Sequence, residues 1–442
     1  MAPPDDPYAD RERTPEAFGG PGALGPLERI LPPSATVESS RLVIADCDAV
    51  ELAERFGTPL YVYDEDSLRY ECRELAEAML GAPDGSRGLI AIKAFPSVAM
   101  AAIAREAGLG ILCSTGGEHA VATAAAVEPE HLVLHGNNKS EDELRLAVSR
   151  LVVDSFDEID RIERFGVAAD VWIRVTPGVE AGWHEFIRTG GVDSKFGIAA
   201  PRVVEAAKRL AALPGVTVRG LHAHVGSQLL GEDETGLREV MVPMLRQTEE
   251  ALGTPVRELD LGGGMGIAYT VGDPDPLSPA DTARKLLEGW PADVALTLEP
   301  GRALVGRAGI SLHRIGTVKE IEGVRTYVAV DGGMSDNIRT ALYGAQYEFL
   351  LANRADHPGS TPVRIVGKHC ESGDVLAFEA RLPEGVRPGE VLVTAATGAY
   401  CYAMSSNYNV VPRPAVVLCR DGVAREVIRR ETTEDLLRLQ QP

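Results

Sequence analysis

No apolar run in these 442 residues approaches the roughly 20 needed to span a bilayer, which excludes a membrane-crossing helix. Cysteine is sparse: Cys47, Cys72, Cys113, Cys370, Cys401 and Cys419 are scattered, with no CxxC pair. That excludes a disulfide framework and a zinc site, and fits the reduced thiols of a cytoplasmic protein. Basic residues are short, 44 Lys and Arg against 65 Asp and Glu, and the formal net charge is -21. Nucleic acid and anionic membrane surfaces need a basic face, so both are excluded as partners. The N-terminal stretch MAPPDDPYADRERTPEAFGGPGALGP has neither the basic start nor the apolar core of a signal peptide. Its Pro, Gly and charge content predicts a disordered lead-in over residues 1-34.

What is present is a globular balance, 45% hydrophobic and 25% charged, in a chain long enough for one large domain plus a second. Eight short apolar runs, at 89-93, 110-113, 132-135, 151-154, 171-175, 219-225, 258-261 and 295-299, alternate with amphipathic stretches such as PRVVEAAKRLAAL. Strand and helix alternating eight times predicts a parallel (β/α)8 TIM-type barrel, over residues 58-312. The connection at 176-200 is long for a compact domain, which predicts a functional loop. From 313 to 442, runs such as VRTYVAVDG and EVLVTAATG are separated by Gly/Pro turns, so a C-terminal, mainly antiparallel β domain is expected. The strand-like SRLVIADCDAV, within residues 35-57, is expected to join that domain.

The active site of such a barrel lies at the C-terminal ends of its strands. The first run, GLIAIKAF, ends in Lys93. Either its stem packs while its ammonium reaches water, or the amine sits in a largely apolar pocket that lowers its pKa for Schiff-base chemistry. The other ends carry Ser114, His135, Asn137, Asp154, Arg174, His224 and Ser227, the glycines Gly262, Gly263 and Gly264 of DLGGGMG, and Glu299, Gly301 and Arg302 of LEPGR. A glycine run after a strand is often a plain tight turn. After the seventh strand it occupies the usual phosphate site of this fold, its N–H groups forming an anion cradle. A lysine and a phosphate cradle together suggest pyridoxal 5'-phosphate. Glu299 could then hold a proton on the pyridine nitrogen, or be a solvated residue before a turn. His224 could stack on the ring, or be a core histidine. In the second domain Cys370 lies between His369 and Glu371 in a polar loop, poor surroundings for a packing residue, and reads as a proton donor.

Taken in order, KAF, TGGE, HGNNKS, GVEAGWHEFIRTG, SKFGI, HVGSQ, DLGGGMGIAY, EPGR, DGGMSDNIR, ALYGA, GKHCESGD and GAYCYAMSSNYN resemble the diaminopimelate decarboxylases, pyridoxal-phosphate enzymes with an alanine-racemase-like barrel. The resemblance implies decarboxylation of meso-2,6-diaminopimelate to L-lysine and CO2. It implies Lys93 as the Schiff-base lysine, His224 as the stacking ring, and Ser227 with Gly262, Gly263 and Gly264 as phosphate contacts. Glu299 would pair with the pyridinium, and Gly301, Arg302 and Tyr400 would line the cofactor. Arg302, Arg339, Tyr343, Glu371 and Tyr400 would grip the substrate, and Cys370 would protonate the carbanion from the partner subunit of a homodimer with composite sites. Leu112 stands where the family usually has Asp, and Thr340 where it usually has Pro. These departures keep open a paralogous decarboxylase acting on another amino acid.

Overall fold

The computed structural model describes residues 24–178, 194–230 and 235–441. A strand at Leu60–Asp64 (β1) precedes eight parallel strands: β2 (Arg87–Ala91), β3 (Gly110–Cys113), β4 (Leu132–Leu134), β5 (Arg150–Val153), β6 (Ala169–Thr176), β7 (Val216–His222), β8 (Glu258–Asp260) and β9 (Ala295–Leu298). Each pairs with the next in sequence, and β9 pairs back to β2, so the eight apolar runs close into a barrel. Strands buried on both faces need apolar residues at every position, and all four residues of β3 and of β9 are buried. Inside the barrel Leu89, Ala91, Leu112, Val133, Val152 and Trp172 form an apolar layer that plugs it below the site. At the rim, Ser97, Thr115 and Ser155 each accept a backbone N–H of the following helix, which fixes the turns after β2, β3 and β5.

The second sheet is mainly antiparallel. It contains β10 (Gly309–Ile321), β11 (Arg325–Val330), β12 (Phe349–Leu351), β13 (Thr361–Val366), β14 (Val375–Leu382), β15 (Val391–Thr394), β16 (Ala415–Arg420) and β17 (Val423–Ile428). The order is β14-β13-β11-β10-β1-β16-β17, with β15 joining β10 and β12. Only β1–β16 and β11–β13 are parallel among these pairs.

Two expected boundaries are corrected here, the two ends of the barrel. The strands within 35-57 do not enter this sheet. Thr36–Glu38, Arg41–Ile44 and Cys47–Asp48 pair only with one another, and they meet the β domain by packing, Leu42 and Ile44 sharing a core with Ile310, Val391 and Val417. The strand that does enter is β1, assigned to the barrel by sequence. All five of its residues are buried, between β10 and β16, so periodicity showed a strand without showing its partner. The sheet also begins at Gly309, ahead of the expected 313. Of the predicted lead-in, residues 1–23 lie outside the described residues.

Candidate active site

A cavity of about 840 Å³ opens at the C-terminal ends of the barrel strands, capped from the β domain by Arg339, Tyr343, Tyr400 and Met404. β2 delivers Lys93. Its neighbours Ile92 and Ala94 are buried, so the chain is anchored on both sides while the Lys93 side chain lines the cavity and is exposed to it. That corrects the expectation of an amine enclosed by apolar groups. The charge of Lys93 reaches Glu118, His135 and His224. Behind it Phe95 stacks on Tyr63 with ring centroids 4.2 Å apart. Tyr400 reaches in from the β domain and donates its N–H to the Ala94 carbonyl at 2.9 Å. It does so in the left-handed region, φ +64, a conformation costly for a non-glycine residue unless its surroundings impose it.

One end of the cavity is a buried carboxylate cluster. The ligating atoms of His135, His222, Asp260 and Glu299 lie within 4.8 Å of one another. Burial pushes both imidazoles below the ordinary range, His222 to about 4, so both are neutral at pH 7. Burial also opposes charge on Glu299, but His135 and His222 hold its carboxyl well below the usual range. Burial and then the Glu299 charge push Asp260 well up, so Asp260 is the partner that keeps its proton. An ionised carboxylate only accepts, so His135 Nε2–H donates to Glu299 Oε1, at 2.9 Å. His222 Nε2 lies 3.5 Å from the other oxygen.

Beside the cluster the cavity suits an anion. A Cβ on Gly263 would stand 2.3 Å from the Glu299 carbonyl oxygen, and one on Gly264, at φ +111, 2.8 Å from the Gly226 carbonyl oxygen. Only glycine lets the chain pass there. Gly263 N–H donates to His224 Nδ1 at 3.2 Å, and burial together with Lys93 holds that imidazole neutral. Arg302, 7% exposed, donates to Ser227 Oγ at 3.1 Å and to the Tyr269 hydroxyl. Its Nε is buried with no protein partner, an unanswered donor that an anionic group would satisfy. The guanidinium carbon also sits 4.8 Å from the Tyr400 ring centroid. Pyridoxal phosphate matches this set: anion cradle, flat imidazole, buried carboxylate and a primary amine in one cavity.

On the β-domain side Arg339 is 5% exposed and donates to the Tyr347 hydroxyl, its guanidinium 4.8 Å from the Tyr269 ring. The Tyr347 oxygen is 3.4 Å from Cys401 Sγ.

The family model for "Pyridoxal-dependent decarboxylase, pyridoxal binding domain" matches residues 71–306. Diaminopimelate decarboxylase of Mycobacterium tuberculosis is 44% identical over 425 residues, 90% of this chain and 94% of the relative. The Bacillus subtilis enzyme is 41% identical over 426 residues, 92% and 96%. The chain belongs to the diaminopimelate decarboxylase family. Among solved structures, diaminopimelate decarboxylase from M. jannaschii in co-complex with L-lysine superposes with TM-score 0.83 at 30% identity, covering 92% of this chain and 98% of that one. The Helicobacter pylori enzyme complexed with L-lysine gives 0.80 at 30%, covering 88% and 98%.

Against this family frame, Lys93, His224, Ser227, Gly263, Gly264, Glu299, Gly301, Arg302, Arg339, Tyr343 and Tyr400 all line the one cavity. Gly262 lies just behind the wall, its N–H bound to Asp260 Oδ1 at 2.7 Å. Cys370 and Glu371 do not line it; both are exposed on the loop between β13 and β14. Of the long connection at 176-200, residues 179–193, with most of GVEAGWHEFIRTG, lie outside the described residues, and Lys195 and Phe196 from its far end line the cavity. Sequence reasoning missed His222, Asp260, Tyr269 and Tyr347. A signal for the first was present: in HAH the two histidines are two residues apart at a strand end, and such spacing puts them on one face. Leu112 lines the cavity floor as part of the apolar plug, and Thr340 Oγ1 bonds the Leu376 carbonyl at 3.0 Å.

Proposed function

We infer that this protein decarboxylates meso-2,6-diaminopimelate to L-lysine and CO2 for lysine biosynthesis, with pyridoxal 5'-phosphate as cofactor. The observation that carries the reading is one cavity in which Lys93, from the end of β2, meets Glu299 and Arg302, both from the end of β9, in a chain whose near full-length relatives are diaminopimelate decarboxylases. When bound, the cofactor supplies an aldehyde that condenses with amines and a ring that accepts an electron pair. Ser227, Arg302 and the Gly264 backbone would hold its phosphate, His224 its face and Tyr400 its flank, and Lys93 would supply the amine for its aldehyde.

The ionised Glu299, which accepts the His135 Nε2–H and lies 3.5 Å from His222 Nε2, would stabilise a proton on the pyridine nitrogen. Arg339, rigid and buried, suits bidentate capture of the distal carboxylate, with Tyr343 beside it and Glu371 for the distal ammonium. As the C–C bond breaks, CO2 leaves and the bonding electrons stay with the α-carbon. Cys370 then gives that carbon a proton as general acid.

Because Cys370 and Glu371 are exposed and off their own chain's cavity, the reading requires a second copy to present them, a homodimer with composite sites. The barrel serves as the cofactor domain and the β domain as the substrate domain. Among the described residues no helix is long and apolar enough to cross a membrane, which together with the acidic composition supports a cytoplasmic enzyme. The test is CO2 release from a panel of amino acids by the pyridoxal-phosphate-loaded protein. Turnover of meso-diaminopimelate well above lysine and ornithine is expected. Good turnover of another amino acid with none of diaminopimelate would establish the paralogue that Leu112 and Thr340 leave open.

A further inference from the structure

The loop carrying Cys370 is short and exposed, yet it is held by an unusually complete set of buried groups. His369, 8% exposed, is gripped at both ring nitrogens: Nε2 is 2.8 Å from Ser335 Oγ and Nδ1 is 3.1 Å from Asn409 Oδ1. Its backbone N–H donates to Asp374 Oδ2 at 2.7 Å, while the other oxygen of Asp374 accepts Met334 N–H at 2.6 Å. Ser406 N–H bonds the Ser335 carbonyl at 2.8 Å, and Lys368 N–H the Gly332 carbonyl at 2.9 Å. Three loops, 332–337, 367–374 and 405–410, are thus tied together through one imidazole and one carboxylate. The knot has no spare room. A Cβ on Gly333 or Gly367 would come within 2.4 Å or 2.3 Å of an Asp374 oxygen.

The hydrogen-bond inventory restricts His369 further. Asn409 Oδ1 accepts, so Nδ1 carries a proton. Nε2 then either accepts from the Ser335 hydroxyl or, in the imidazolium, donates to it while Ser335 donates onward to Asp336 Oδ1, 3.3 Å away. Asp336 is itself fixed, by Gly333 N–H at 2.9 Å and by His313 at 2.6 Å. Either way the ring cannot rotate without leaving a buried donor or acceptor unpaired. His369 and Asp374 are therefore two fixed posts, and only residues 370–373 between them are exposed.

We propose that His369 is a positioning residue for decarboxylation: clamped by Ser335 and Asn409, it sets the point from which the Cys370 thiol delivers its proton. This rests on the reading of Cys370 as proton donor. It assigns to His369 no contact with substrate or cofactor.

The experiment compares His369→Ala, His369→Gln and Ser335→Ala with wild type. His369→Ala should lower kcat for diaminopimelate about tenfold or more, as expected for a mispositioned general acid. The solvent deuterium isotope effect on kcat should rise, because proton delivery becomes the slower step. The Kd for pyridoxal phosphate should stay within about twofold. His369→Gln, which can still reach Ser335 and Asn409, should recover part of the loss. Ser335→Ala should weaken kcat in the same way, and adding it to His369→Ala should cost little more, since both act through one chain of bonds.

A second readout needs no turnover. Cys370 is exposed and the other five cysteines are buried, so iodoacetamide alkylation of the cofactor-free protein reports on this thiol. Its rate should change about threefold or more in His369→Ala. If His369→Ala does not fold, Ser335→Ala and Asn409→Ala test the same clamp. Unchanged isotope effect and alkylation rate in folded variants, or a loss of kcat matched by an equal loss of cofactor affinity, would overturn the proposal. Should wild type fail on diaminopimelate while the alkylation rate still responds, the positioning role stands and the substrate reading falls.

Discussion

At the barrel end of the cavity, Glu299, His135, His222 and Asp260 come from four strand ends and are buried, whereas at the other end Arg339, Tyr343 and Tyr400 come from connections of the β domain, whose Cys370 and Glu371 are exposed off the cavity. The barrel end is complete within one chain: each carboxylate and imidazole there has its charge state set by its neighbours. The β-domain end holds a buried cation and shows its thiol elsewhere. The difference teaches that the two ends are built differently, one on buried strand ends and the other on connections and an exposed loop.

The most severe way to break this comparison is to mix two inactive proteins. Lys93→Ala removes the barrel's amine and Cys370→Ala the β domain's thiol, so each alone should be inactive. If the two halves of a site come from different subunits, subunit exchange makes half the dimers mixed, each with one intact site, and roughly a quarter of wild-type activity should return. No recovery after demonstrated exchange would mean that each chain builds its own site. Next in size is Arg339→Ala, which should cut kcat/KM for diaminopimelate at least about tenfold, roughly 1.4 kcal/mol of transition-state binding. Loss of cofactor affinity in that variant would show that the two ends are not separable.

A smaller effect is expected at Leu112. Leu112→Asp puts an acid on the cavity floor within an apolar layer, and should displace the acid limb of the pH–rate profile by about one unit while leaving the ranking of substrates unchanged. A changed ranking would make Leu112 a specificity residue.

The last concerns stability. His222 falls from 6.5 to about 4 on burial. Its folded value lies below its unfolded one, so protonation favours the unfolded chain. Stability is intact above about 6.5 and is lost as pH falls from there toward about 4. Urea unfolding over that window should lose about 2 kcal/mol in wild type, and His222→Gln should flatten the slope. Equal slopes would assign the loss to other groups.

The barrel was legible because eight fully buried runs leave few alternatives, and its strand ends are where such a fold collects polar residues. β1 was misassigned because a run such as LYVYD identifies a strand and not its neighbour. His222 and Asp260 escaped notice because their meaning lies in being pressed against Glu299, a contact between strands distant in sequence. The Cys370 loop stood out by its polar setting, but residue order does not show that its thiol lies off the cavity of its own chain.

Gly263 has a consequence of another kind. Its Cα hydrogens face the Glu299 carbonyl oxygen at a distance no side chain would permit, and Glu299 N–H bonds the Gly262 carbonyl at 2.8 Å. The anion cradle and the buried carboxylate are therefore neighbours on adjoining backbones, joined like the jaws of a caliper set to one opening. A ring-phosphate held there would be gauged by length as well as by charge.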